Sequence, residues 1–316
     1  MTATRPPHVA VVGGYGTGIT FRVGKLPGAG ETLLADSSRT DPSAKGSNQA
    51  VAASRLGAQV SLLSAIGADG FGAAGRLLWD AEGIDSGCVR VGTGSTMVGA
   101  IVVEPDGGNR ILVGMGALTE LDVADVQRFT PEITDADICV VSLEIPAAVA
   151  AAALTTARAV RTMAVLNPAS PVHLPPDVLR HVDVIVPNRT EAAALTGSGP
   201  DTEPDTLADR LRALCEGVIV LTLGELGALV DDRSSRWLVP AAEASAVIDT
   251  TGAGDAFTGA PAVGLAHGLA LGEAVEVAVE AAARSVSRES VISSLPLLAD
   301  LPEPVRQRLS APSGVR

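Results

Sequence analysis

Short apolar runs rich in β-branched residues alternate along this chain with Ala- and Leu-rich amphipathic stretches, and that alternation restricts the possible fold more than any other feature. The runs His8–Val12, Val60–Ala65, Ile138–Val141, Thr162–Leu166, Val184–Val186 and Val218–Thr222 read as strands. They are nearly continuous in apolar character, as strands covered on both faces must be. Between them Ser47–Leu56, Phe71–Ala81, Pro146–Ala157, Thr190–Thr196, Asp205–Leu214, Gly254–His267 and Leu271–Ser287 read as helices. Strand and helix in turn predict βαβ units, hence an α/β fold with a mostly parallel central sheet between helices. Two segments break the rule. Thr17–Arg39 and Ser95–Gly114 carry period-2 runs with Gly, Pro and Asp turns, Pro105–Asn109 among them, and read as ribbons covering a cleft. Pro261 lies inside a helical stretch and predicts a bend there. No linker-like composition or repeat divides the chain, so one domain over residues 1–316 is expected, with a lid from about 15–40 and 93–116.

Composition excludes several functions. Aromatic residues make up only 2% of the chain, which removes the stacking platforms of a single-strand nucleic-acid binder. A net charge of −13 repels a phosphate backbone, so an anionic ligand would need local devices such as helix N-termini, glycine turns or metal ions. Cys88, Cys139 and Cys215 form no CxxC pair, and His8, His173, His181 and His267 lack ligand spacing, so neither a disulfide framework nor a zinc site is expected. The start carries no apolar signal region and no stretch reaches membrane-span length. The expectation is a soluble, cytoplasmic protein with neither nucleic-acid nor membrane partners.

The stretch Asp249-Thr-Thr-Gly252-Ala253-Gly254-Asp255-Ala-Phe-Thr-Gly259 carries the chemistry. A polar turn with two close glycines runs into an Ala-rich helix, so the amides of Gly252, Ala253, Gly254 and Asp255 can converge on one anion, helped by the helix dipole. A carboxylate in that turn is odd for anion binding alone. Residue chemistry leaves two readings of Asp255: an N-cap serving its own helix, or a base taking a proton from an attacking hydroxyl. Two other glycine segments fail as nucleotide signatures. Gly13–Gly18 would need glycine at Ile19 and a following helix to bind a dinucleotide, and Gly24-Lys25 lacks the P-loop spacing.

With Lys45-Gly46-Ser47-Asn48-Gln49-Ala50 followed by Gly57, the Asp249–Gly259 stretch makes the chain resemble the ribokinase family of carbohydrate and nucleoside kinases, the phosphofructokinase-B type. Ile66-Gly67-Ala-Asp69-Gly70, Leu143-Glu144, Asn167-Pro168, Pro187-Asn188 with Glu191, and Thr222-Leu-Gly224 lie between the two signatures in the family's order. The resemblance implies a ribokinase-like three-layer α/β/α fold with a small β-sheet lid, and transfer of the γ-phosphoryl of ATP to a sugar hydroxyl. It makes Asp255 the base and the Gly252–Gly254 amides the anion hole. It places ATP near Asn188, Thr222, Gly224 and Gly254, and Mg²⁺ on Asn188 and Glu191 through water. Asn188 and Glu191 also fit a capping box, and Thr222 with Gly224 a plain turn. K⁺ is implied beside Asp249, Thr251 and Ser294, although Ser290 and Val291 depart from the usual turn there. Substrate contacts are implied for Ala44, Gly46, Asn48, Glu144, Gly16, Gly18 and Asp255.

The departures gather in the sugar pocket. Gly16 and Gly18 stand where ribokinase has Asn and Asp, Ser43-Ala44 replaces Gly-Gly, and Ser47 replaces Ala. Losing the carboxylate removes contacts worth roughly 1.5–3 kcal/mol each, which argues against D-ribose. Tyr15, Arg22, Lys45, Asn109 and Arg110 are candidate replacements, and arginines aimed into the cleft would favour an anionic sugar. A homodimer through the lid is the default assembly. A nucleoside kinase and a catalytically weak sugar-binding regulator are the rival readings.

Overall fold

The computed structural model describes residues 5–105, 108–169 and 174–310. The first four residues, Asp106 and Gly107 of the expected hairpin tip, His173 and the last six residues lie outside the described part. In chain order the strands are β1 (His8–Val12), β2 (Gly16–Arg22), β3 (Ser37–Ser43), β4 (Gln59–Leu63), β5 (Ala65–Gly67), β6 (Ile84–Asp85), β7 (Arg90–Gly92), β8 (Met97–Val103), β9 (Asn109–Gly114), β10 (Ile138–Ser142), β11 (Met163–Asn167), β12 (Val184–Ile185), β13 (Val218–Thr222), β14 (Ala228–Asp231) and β15 (Arg236–Val239). The helices are α1 (Lys45–Arg55), α2 (Gly70–Ala81), α3 (Val123–Asp135), α4 (Ala147–Val160), α5 (Pro176–Leu179), α6 (Arg189–Thr196), α7 (Pro204–Arg212), α8 (Ala253–Ala266), α9 (Leu271–Ser285) and α10 (Glu303–Ser310).

Nine strands form the central sheet in the order β15-β14-β13-β12-β11-β10-β1-β4-β6. Every pairing from β13 to β6 is parallel, and β14 runs antiparallel to both of its neighbours, β13 and β15. All five residues of β1 are buried, because alternate side chains enter different cores. Val9 and Val11 pack with α1, α8 and α9, whereas Ala10 and Val12 join Phe129 and Ile133 of α3 and Leu154 of α4. The result is the expected three-layer arrangement. No helix among the described residues is long and apolar enough to cross a membrane.

The two irregular segments build a separate four-stranded sheet in the order β3-β2-β8-β9. Its central pair, β2 with β8, is parallel and joins segments some eighty residues apart in the chain, so the ribbons do not close as two independent hairpins. Helix α3 was not among the expected helices; Pro131 interrupts its pattern, yet a capping box between Asp122 and Asp125 starts it and Phe129 and Ile133 bury its face. Pro261 sits inside α8, buried, and the helix continues through it to Ala266.

Candidate active site

Parallel strands deliver their following loops to one edge, and the site is assembled from such loops. Helix α8 begins at a left-handed Gly252 (φ 84°), where a β-carbon would come within 2.9 Å of Val291 Cγ1. The Ala253 amide bonds the Thr250 carbonyl, and those of Asp255 and Ala256 bond the Gly252 carbonyl. Among the described residues the Gly252 and Gly254 amides have no acceptor. Two free donors at a helix N-terminus make an anion seat.

Asp255 is buried beside that seat at 7% exposure. Asn48 Nδ2 donates to its Oδ2 over 2.8 Å and Gln49 Nε2 to its Oδ1 over 3.3 Å, both from α1. Burial drives its carboxyl up to about 7; the Asn48 bond opposes this and the nearby Glu144 charge adds to it. The carboxylate does not cap its own helix, since both of its oxygens accept from α1 side chains.

Asp255, Lys45, Asn188, Glu191, Gly252 and Gly254 line a polar cavity of about 210 Å³. A larger cleft of about 680 Å³, walled by residues such as Val247, Phe257, Val279 and Ala282, adjoins it, and the two share Thr222 and Gly254. Gly224 turns away from β13 at φ 63° and lines the larger cleft. Asn188 caps α6 in a full capping box with Glu191, and Glu191 Oε1 also pairs with Lys45 Nζ at 2.8 Å. The capping role and a place in the cavity therefore coexist.

Glu144 Oε2 accepts the Lys45 amide over 2.6 Å, and burial raises its carboxyl against that bond. Gly46 packs so closely that a β-carbon would lie 2.6 Å from Gly13 and Gly14 backbone atoms. Ala44, at the N-cap of α1, holds φ 80°, a conformation that favours glycine. Gly16 and Gly18 lie on lid strand β2, opposite Met97 and Gly99 of β8. A β-carbon at Gly16 would meet Met97 Cε at 2.6 Å, so Met97 occupies the space a larger residue would need.

Of the candidate replacement groups, only Lys45 lines the cavity. Tyr15 is fully buried against Trp79, ring centroids 4.9 Å apart, and its hydroxyl bonds the Phe71 carbonyl. Arg110 pairs with Glu104, and Arg22 and Asn109 are exposed on lid strands. Asp249 Oδ1 accepts the Thr251 amide and Oδ2 the Ser290 amide. Ser290 Oγ reaches Asp41 of the lid, while Ser294 is buried with its hydroxyl on the Val291 carbonyl. Gln49 and Asn167 were not singled out as site residues: an amide pair buried beneath a carboxylate has no sequence spacing to betray it.

The pattern of the pfkB carbohydrate kinases matches residues 8–298. The chain belongs to the pfkB carbohydrate kinase family. The ribokinase of Schizosaccharomyces pombe is 32% identical over 307 residues, spanning 93% of this chain and 96% of that protein. The deoxyribokinase of Salmonella typhi is 32% identical over 79% of this chain and 83% of its own. Arabidopsis thaliana ribokinase, solved with ribose and ATP, superposes with a TM-score of 0.84 at 25% identity, covering 97% of this chain and 99% of that one. This pfkB kinase is therefore a phosphotransferase acting on a sugar hydroxyl, on a ribokinase-like fold.

Proposed function

We propose that the chain transfers the γ-phosphoryl of ATP to a hydroxyl of a sugar-like substrate, with Asp255 as general base. The observation that carries this reading is the meeting of the two cavities at Gly254 and Thr222. An apolar cleft takes a nucleobase, and the adjoining polar cavity takes phosphates over the free Gly252 and Gly254 amides. Asp255 Oδ accepts the proton of the attacking hydroxyl as its oxygen bonds the γ-phosphorus and the bond to the β-phosphate oxygen breaks, releasing ADP. A base poised near 7 is matched to that task. The Gly252 and Gly254 amides hold charge on the migrating phosphoryl.

Among the described residues no three His, Cys, Asp or Glu side chains cluster to cage a metal. A magnesium ion that keeps its waters and binds mainly phosphate oxygens fits that donor set, with Asn188 and Glu191 reaching it through water. When bound it neutralises phosphate charge. The carboxylate of Asp249, with the Thr251 main chain beside it, fits one wall of a monovalent-cation site; the Ser294 hydroxyl is committed within its own turn. On the sugar side we assign substrate contacts to Gly46, Ala44, Asn48 and Glu144, and to Gly16 and Gly18 of lid strand β2. We take residues 1–316 as one working unit, and place it in the cytoplasm, where ATP and reduced thiols prevail. The lid edge β9 exposes Ile111, Leu112 and Val113 in one run, a surface suited to pairing with a second copy.

ADP release measured across neutral sugars, nucleosides, sugar acids and sugar phosphates tests the reading. Turnover with a sugar supports it; strict preference for nucleosides would move the activity to the rival kinase class, and none with any alcohol would leave a binding protein.

A further inference from the structure

Beneath Asp255 lies a chain of amides whose orientation can be read from its fixed end. The Val186 carbonyl can only accept, so Asn167 must turn its Nδ2 toward it, and does so at 3.0 Å. That leaves Asn167 Oδ1 facing Gln49, whose Nε2 donates to it at 3.1 Å and to Asp255 Oδ1 at 3.3 Å. Gln49 is 1% exposed, and its Oε1 has no partner among the described residues. A buried acceptor left bare is a stability liability that an apolar side chain of the same size would not carry. A residue selected for packing alone would not be an amide here.

We propose that Gln49, oriented through Asn167 by the Val186 carbonyl, is a positioning residue that holds the Asp255 carboxylate in line with the attacking hydroxyl. The proposal rests on Asp255 being the base. Asn48 fixes one carboxylate oxygen and Gln49 the other, so the carboxyl plane is set from two sides and cannot rotate about its Cβ–Cγ bond. Asn167 also lines the polar cavity, which links the strand end nearest the phosphates to the base. The charged groups that face Asp255 are Glu144 and Lys45, and neither is supplied by this amide chain.

The test is Gln49→Met, close in volume and without hydrogen-bonding groups. The expected result is a fall in kcat of about 10- to 100-fold, with KM for sugar and ATP within about twofold and a melting temperature no lower than wild type. The acidic limb of the kcat profile moves to higher pH, because a donor to the charged carboxylate is gone. Asn167→Ala, which frees the Gln49 amide to turn over, moves kcat and the limb in the same direction if the first variant fails to fold. Wild-type kcat in a folded Gln49→Met, or a loss confined to KM or to stability, overturns the proposal. An Asp255→Asn control separates the two failures: if it stays active, the base assignment itself falls.

Discussion

Asn48 Nδ2 lies 2.8 Å from Asp255 Oδ2, joining residues 207 positions apart in the chain. The contact depends on how closely α1 approaches α8. A β-carbon on Gly259 would stand 2.8 Å from Ala52 Cβ and 2.9 Å from the Gln49 carbonyl. Gly259→Val therefore wedges the helices apart, with an expected loss of about 1–3 kcal/mol in urea unfolding and a fall in kcat larger than the change in KM. Unchanged stability and turnover would show that the helices can separate without disturbing the base.

Replacing the base should stabilise the fold at neutral pH. The folded carboxyl titrates near 7 against an ordinary 3.8, so between those values the native state holds a proton that the unfolded chain has lost. Stability then falls as pH rises through that window and stays low above it. Asp255→Asn abolishes the dependence, and the unpartnered Oδ1 of Asn48 can turn to accept from the new amide. The variant should gain up to about 4 kcal/mol over wild type above pH 7 and little below pH 4, as followed by thermal melts across pH.

The same carboxyl sets the acidic limb of activity. In wild type kcat/KM should fall about tenfold per pH unit below about 7, as the base takes up its proton before the alcohol can use it. A profile flat from pH 5 to 8 would remove Asp255 from the proton transfer.

Gly46→Ala tests the junction beneath the sugar pocket. The added methyl would meet Gly13 and Gly14 backbone at 2.6 Å, and backbone cannot yield as a side-chain tip can. We expect a loss of about 1–3 kcal/mol together with a raised KM for the sugar. Ala44→Gly, which relieves the strained φ of 80°, should not lower stability.

Much of this arrangement is legible in the sequence because the relevant signals are local. The buried strands β1 and β13 announce themselves as short apolar runs, and the glycine turn before α8 marks the anion seat within ten residues. Helix α3 escapes notice because Pro131 breaks its pattern while its burial comes from β1 and α4. The β14–β15 hairpin at the sheet edge is likewise absent from the strand expectations. Tyr15 looked available to a ligand because its ring packing on Trp79 is a tertiary fact. Gln49 stood in plain view within the first signature, yet its role depends on Asn167, 118 residues away.

The central claim is that Asp255 removes the substrate proton in a site that otherwise binds normally. Sugar-dependent ADP release by Asp255→Asn, set beside calorimetric binding of the same sugar and ATP, measures this most directly. Turnover is expected to fall at least about a thousandfold, with binding constants within a few-fold of wild type. Turnover near wild type in a variant that binds both ligands would contradict it.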